Sequence, residues 1–199
     1  MAETHTDADL RGVDWSGRDL AGDRFERCTF HDADLLELAT EQVVFEECDF
    51  SGARLNASDH VSTAFLRCRF RRTSLFDARL AGCKMVGSAF EGPCVLKPLR
   101  IEGGDWSYVT LRGQDLSGLN LSGVRLREAD LSMANLSGTV LRGCDLGHAR
   151  FDEATTARVD LRDADVEAVD LRSWDLTGVR LDLAQAVQLA GLYGAVVDL

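Results

Sequence analysis

"LSGLNLSGVRLREADLSMANL", residues Leu116 to Leu136, places leucine at 116, 121, 126, 131 and 136. An amphipathic helix repeats every ~3.6 residues and a half-buried strand every ~2. A period of five fits neither. The same period runs outward in both directions. From Leu10 every fifth residue reads Leu10, Trp15, Leu20, Phe25, Phe30, Leu35 and onward to Val95, and sixteen of these eighteen positions are apolar. The phase then slips by one residue. From Leu96 it continues to Leu181, with seventeen of eighteen positions apolar. Internal repetition of this kind governs the whole reading of a chain.

We call these positions i. Two residues earlier, at i−2, the side chains are mostly small: Ala33, Ala53, Ser58, Thr63, Ala78, Ala129, Ala134 and Ala164 are examples. All six cysteines fall there, at 28, 48, 68, 83, 94 and 144. One large and one small residue per unit therefore point inward, and the other three are mostly polar. An even cysteine count can mean disulfides. Here Cys28, Cys48 and Cys68 share one interior column, where a small buried group is required. No CxxC spacing supports zinc. Free, buried thiols are expected.

"ADLSM" at 129–133 and "ANLSG" at 134–138 match A(D/N)LXX, and the chain resembles the pentapeptide-repeat family on this motif. The resemblance implies an all-β fold, a right-handed quadrilateral β-helix with five residues to each side and four sides to each coil. Residues twenty apart would then stack at ~4.8 Å, and eight to nine coils would make a rod of roughly 40 Å. Only the two ends would leave open strand edges.

Four segments are expected: an N-terminal tail at 1–9, β-helix at 10–95 and 96–181, and a C-terminal helix and tail at 182–199. The boundary in the middle is "GPCVLKPL", 92–99, which holds both prolines of the chain. Proline removes a ladder donor and favours bulges, so a one-residue bulge that kinks or re-registers the rod is expected. At the end, "DLAQAVQLAGLYG", 182–194, has helix formers, an N-cap candidate in Asp182 and a stop in Gly194. Its apolar residues Leu183, Ala186, Val187, Leu189, Ala190, Leu192 and Tyr193 exceed what a free helix would carry. They should cover the open end, pair with a second copy, or both.

Thr40 and His60 interrupt the apolar series at positions twenty apart. A catalytic or metal role for His60 would need a second ligand in the motif. A stacked polar pair, hydrogen-bonded inside the coil, is the expectation. His5, His31 and His148 are scattered, and no catalytic motif or metal spacing appears. The expectation is a non-enzyme without cofactor or metal.

Charge is patterned. The net charge is −11, which disfavours direct nucleic-acid binding and suits a basic partner. Residues 1–60 carry 15 acids and 5 bases, 61–100 carry 2 and 8, and 101–199 carry 16 and 9. A basic band contains Arg67, Arg69, Arg71, Arg72, Arg79 and Lys84. At i−1, Asp recurs at Asp105, Asp115, Asp130, Asp145, Asp160, Asp165, Asp170 and Asp175. Such residues could solvate the rod as part of the motif, or form an acidic partner-binding surface. No apolar leader and no run of roughly 20 apolar residues is present, so a cytoplasmic protein without a membrane span is expected.

A narrower resemblance rests on "ECDFSG" at 47–52, "LKPL" at 96–99, "GLNLSGVRLRE" at 118–128 and "DLAQAV" at 182–187. These are similar to the fluoroquinolone-resistance branch of the same family. That resemblance implies a homodimeric rod that imitates duplex DNA, binds DNA gyrase, inhibits or regulates it, and protects it from fluoroquinolones. The alternatives are an acidic repeat scaffold for a non-gyrase partner, or self-immunity in a producer of a topoisomerase poison.

Overall fold

The computed structural model describes residues 2–197. Eleven short strands occupy the N-terminal half: Thr4–Thr6 (β1), Asp19–Ala21 (β2), Arg24–Glu26 (β3), Ala39–Glu41 (β4), Val44–Glu46 (β5), Asp59–Val61 (β6), Ala64–Leu66 (β7), Arg69–Arg71 (β8), Ala78–Ala81 (β9), Ala89–Glu91 (β10) and Leu99–Glu102 (β11). Every pairing is parallel, and partners lie twenty residues apart, as in Phe25 with Phe45 and Phe45 with Phe65, or 21 where they span the phase slip, as in Leu80 with Ile101. Beyond β11 the coils continue through single parallel bridges at the same spacing, such as Asp105 with Arg125 and Arg125 with Asp145. The protein is a four-sided parallel β-solenoid. One column runs from Thr4 through Arg24, Val44, Ala64, Lys84, Asp105, Arg125 and Asp145 to Asp165. Nine stacked levels at ~4.8 Å make a rod of roughly 40 Å.

The period of five is the length of one side. Position i points in, and position i+2 turns the corner with a positive φ, as at Gly12 (63°) and Gly113 (69°). Ladders of aromatic rings fill the N-terminal half. Phe25 stacks on Phe45 at 5.1 Å and Phe45 on Phe65 at 5.0 Å. On the next side Phe30, Phe50, Phe70 and Phe90 stack at 4.8–5.1 Å. Offset or edge contacts between such rings add to simple burial. In the C-terminal half leucines take these places, and Leu126, Leu131, Leu136 and Leu141 are fully buried.

The small i−2 side chains also tie coils together. The thiols of Cys48, Cys68, Cys83 and Cys144 donate to the carbonyls of Phe25, Phe45, His60 and Leu121, each 23 residues back. Thr73, Ser88 and Thr139 hydroxyls make the same bond to Phe50, Phe65 and Leu116. All six cysteines are free thiols, five of them buried. Burial pushes the Cys83 thiol up to about 11 and the Cys144 thiol up to about 12, so neither is a reactive nucleophile near neutrality. At Gly104 an i−2 side chain has no room: a Cβ would lie 2.2 Å from the Cys83 carbonyl oxygen.

Thr40 and His60 form the expected internal polar network. Thr40 Oγ1 lies 2.7 Å from His60 Nδ1 and 2.7 Å from Thr63 Oγ1, and His60 Nε2 lies 2.9 Å from Ser58 Oγ. Ser58 in turn donates to the Leu55 carbonyl. His60 is completely buried, and desolvation lowers its pKa to about 4.

The phase slip is a change of register. Ser74 pairs with Val95 and Ala78 with Leu99, 21 residues apart, whereas Glu91 still pairs with Arg71. The extra residue therefore falls within 92–94. Gln114, buried at an i−2 position, spans the irregularity: its amide donates to the Gly92 carbonyl at 2.9 Å and accepts from Cys94 N–H at 3.3 Å.

Two expectations need correction. Residues 1–9 are not simply a tail, because β1 pairs with β3 and Asp9 bridges Thr29. His5 takes an i position there and stacks on Phe25 at 4.7 Å, so an aromatic ring replaces the aliphatic side chain that the pattern sought. Val95 does not point inward. The slip moves it to i−1, where it is 47% exposed, and Leu96 takes the interior place.

Helix α1, Leu183–Leu192, closes the C-terminal end. Asp182 and Gln185 form a capping box. Both also reach the solenoid. Asp182 Oδ2 accepts from Asp163 N–H at 2.9 Å, and Gln185 Nε2 donates to the Leu161 and Ala164 carbonyls at 2.6 and 2.9 Å. The helix thus pairs backbone groups of the last coil that would otherwise form an open edge. The last two residues of the expected C-terminal segment lie outside the described residues.

Candidate protein-docking surface

The eight i−1 aspartates have a local role first. Each carboxylate accepts the backbone N–H two residues on: Asp105 from Ser107, Asp115 from Ser117, Asp130 from Ser132 and Asp145 from Gly147. Asp160, Asp165, Asp170 and Asp175 do the same with Arg162, Glu167, Arg172 and Thr177. These are Asx-type turns that satisfy a corner amide. Asn120 and Asn135 make the same bond to Ser122 and Ser137, so the turn needs a side-chain oxygen and no charge.

Six of the eight are also ion-paired. Asp105 meets Arg125 at 3.1 Å, Asp115 meets Lys97 at 2.6 Å and Asp130 meets Arg150 at 2.8 Å. Asp145 lies 3.6 Å from Arg127 and 3.9 Å from Arg125. Asp160 meets Arg162 at 2.6 Å and Arg180 at 3.7 Å, and Asp170 meets Arg172 at 2.8 Å. The hydrogen bond from Lys97 draws the Asp115 pKa down to about 2, and that from Arg162 does the same for Asp160. Among the described residues Asp165 and Asp175 have no cationic partner. The structure therefore brings the aspartates onto one rod but leaves only these two unneutralised, on sides separated by Asp170.

The basic band divides similarly. Arg67 is held by Glu46 and Glu47, and Arg79 by Asp59 at 3.0 Å and Glu102 at 2.9 Å. Arg69 approaches Glu91 at only 3.9 Å. Arg71, Arg72 and Lys84 have no ion pair among the described residues. Column pairing between coils accounts for part of the band, and sequence spacing of about twenty was the signal for it.

The residues expected to pair two copies split into two faces. Leu189 and Leu192 turn toward the coil and pack on its core. Leu183 (70% exposed) and Tyr193 (67%) face outward with Ala186, and Val187 and Ala190 are half-buried. Val196, 89% exposed, extends this outer face beyond the helix. Gln185 and Gln188, which a search for apolar residues passes over, are the side chains that bond the helix to the coil. The signal for Gln185 was its place at N3 of a capping box.

A profile of the family described as "Pentapeptide repeats" matches eight copies across residues 107–143 and 140–178. Residues 107–178 thus carry pentapeptide repeats, and the solenoid built from five-residue sides has the pentapeptide-repeat β-helix fold. The chain is 47% identical over 94 residues to the pentapeptide repeat protein MfpA of Mycobacterium tuberculosis, a match covering 47% of this chain and 51% of that one. It is 44% identical over 62 residues to MfpA of Mycolicibacterium smegmatis, covering 31% of this chain and 30% of that one. The matched stretch thus spans about half, or less, of these relatives. The fold of this chain is shared with QnrB1, "a plasmid-mediated fluoroquinolone resistance protein". One trypsin-treated variant of QnrB1 superposes with a TM-score of 0.71 at 24% identity, over 98% of this chain and 100% of that one. A second trypsin-treated variant gives 0.65 at 25% identity, over 98% and 99%. Among the described residues no helix is long and apolar enough to cross a membrane.

Proposed function

We propose that this protein is a DNA-mimicking pentapeptide-repeat rod that binds DNA gyrase, inhibits or regulates it, and protects it from fluoroquinolones or other topoisomerase poisons. The observation that carries this reading is the 47% identity to MfpA, joined to a continuous nine-level solenoid with the QnrB1 fold. A rod with carboxylates at regular height is the shape a DNA-binding channel accepts. Two copies meeting through the outer face of α1, at Leu183, Val187, Ala190 and Tyr193, would double its length and set the unneutralised Asp165 and Asp175 near the centre. On this reading the working surface lies on the C-terminal coils of a cytoplasmic homodimer that needs no cofactor.

A gyrase supercoiling assay with the purified chain and a cognate gyrase, with and without a quinolone, tests the reading. Inhibition that grows with protein concentration, and less drug-induced cleavage, are the expected results. The ion-paired aspartates favour a second reading: a scaffold that binds a non-gyrase protein through shape and columns of mixed charge. Normal supercoiling at every protein concentration would select it.

A further inference from the structure

Neighbouring coils are joined by backbone bonds in both directions. The N–H groups of i and i+2 donate to the next coil, as Leu131 to Arg150 and Met133 to Asp152, and a bond runs back, as Arg150 to Ala129. One coil further on, this pattern stops. Among the described residues the Phe151 and Glu153 N–H groups meet no acceptor, and Asp170 and Asp175 return no bond to Ala149 and Ala154. The ladder is intact on both flanks, where Leu146 and His148 reach Asp165 and Glu167, and Arg158 and Leu161 reach Thr177 and Arg180. The opening therefore lies inside the rod, on one side of the coil and the corner after it. At the phase slip the side chains of Gln114 and Lys97 bridge the irregularity. Here, among the described residues, no side-chain hydrogen bond or ion pair joins 149–153 to 169–173.

Trp174 accounts for the opening. It stands at i−2, in the column of Ala134 and Ala154. Its indole packs on Phe151 of the preceding coil, with ring centroids 4.8 Å apart, and the chain before it leaves strand geometry through a 3-10 turn at Leu171–Ser173. A ring in the place of an alanine props the last coil away from its neighbour on this side. The indole N–H is buried and has no partner among the described residues, so Trp174 forfeits ladder bonds without making one of its own. A local rule broken without a stabilising return marks a functional site. Between the two coils lies a cavity of about 180 Å³, walled by Ala149, Phe151, Val169 and Trp174. It has room for a small molecule, since one water occupies ~30 Å³. On its rim Arg150 and Asp170 are answered by Asp130 and Arg172. Asp152, also on the rim, has no ion pair among the described residues, which disfavours an anion. The Ala149 carbonyl and the Phe151 N–H are left over. In the intact ladder these two groups take the N–H and carbonyl of a single residue, as Ala129 and Leu131 take those of Arg150.

We infer that this seam is a binding site for a small, neutral, planar cyclic amide. Its ring lies among Phe151, Val169 and Trp174, and its adjacent N–H and carbonyl take the places that one strand residue would fill at Ala149 and Phe151. An apolar pocket with a few placed polar groups is the usual form of a small-molecule site. The turn at 171–173 packs against α1, so an occupied seam fastens the last coil, and the helix that caps it, to the rest of the rod. The inference does not depend on the gyrase reading.

The test titrates 2-pyridone into the isotopically labelled full chain, followed by NMR of the backbone amides and of the three tryptophan indoles. Saturable shifts are expected at Phe151, Glu153 and the Trp174 indole, and none at Trp15 or Trp106. N-methyl-2-pyridone keeps the ring and the carbonyl but lacks the donor, and should bind roughly fivefold more weakly, the loss expected for one hydrogen bond. In the free protein the Phe151 and Glu153 amides should exchange with solvent faster than those of Leu131 and Met133, and 2-pyridone should slow the exchange of Phe151. Trp174→Ala, which restores the small i−2 side chain, should close the seam, abolish the shifts and protect both amides without ligand. If that variant does not fold, the comparison of the two pyridones and the exchange rates of the wild type still decide. Equal binding of both pyridones, saturable shifts elsewhere on the rod, unchanged shifts in a folded Trp174→Ala variant, or no saturable shift would each overturn the proposal.

Discussion

Leu131 is fully buried and sits between Leu111 and Phe151 in one column. Leu131→Asp places a carboxylate where no cation can reach it, at a cost of several kcal/mol. A circular dichroism melt should show a large fall in Tm, and an unchanged melt would remove the inward assignment of position i. His60 makes a pH-dependent contribution. Its pKa is lowered from 6.5 to about 4 by burial, so as pH falls through 6.5 the unfolded chain gains a proton before the folded one. Stability should be fully present above about 6.5 and decline toward pH 4, by on the order of 3 kcal/mol across the interval. The pair Thr40→Val and His60→Leu, which extends the leucines of Leu20 and Leu80 through the column, should flatten the Tm profile between pH 6.5 and 4.5. An identical slope in both proteins would show that other groups cause it.

Helix α1 works as an edge cap as much as an apolar lid. Gln185→Ala removes the donor to the Leu161 and Ala164 carbonyls, and leaving buried acceptors unmet costs roughly 1–3 kcal/mol. For a chain of this size each kcal/mol lowers Tm by about 2–4 °C, so a calorimetric drop of several degrees is expected, and none would show that water replaces the amide. The outer face gives the oligomer prediction. Leu183→Asp with Tyr193→Asp should convert a dimer into a monomer by light scattering, without the loss of stability that changing Leu189 would bring. A wild type that is already monomeric at micromolar concentration would exclude this interface. The period of five, the inward pairs and the helix with its cap were all legible in sequence, because each depends on residues within one or two repeats. The first coil was harder to see, since His5 replaces an aliphatic residue by stacking on Phe25. The ion pairs of the aspartates were hidden for a different reason. Asp105 finds Arg125 twenty residues on, whereas Asp170 finds Arg172 two residues on, and only side-chain geometry decides between such partners.

At the scale of the rod, duplex DNA sets the comparison. It carries one charge per ~1.7 Å, or roughly 24 over ~40 Å. The chain has 33 acids, which exceeds that number, but a net charge of −11, which is under half of it. On the proposed reading, mimicry operates only where carboxylates are not answered by a cation, and among the eight i−1 aspartates these are Asp165 and Asp175. Asp170, between them, is held by Arg172 and should contribute little. Asp165→Asn with Asp175→Asn removes two charges and keeps both corner bonds, as Asn120 and Asn135 show. Surface changes of this kind usually alter stability by no more than about 0.5 kcal/mol, so Tm should hold. If the acids engage a basic channel, inhibition of supercoiling should require more protein, and the difference from wild type should shrink as salt screens both. Asp170→Asn alone, which frees Arg172 and so adds positive charge, should weaken inhibition less than the double change does. Equal inhibition curves for wild type and the Asp165/Asp175 variant at low salt would take these two carboxylates out of the mechanism and leave shape alone to explain any effect on gyrase.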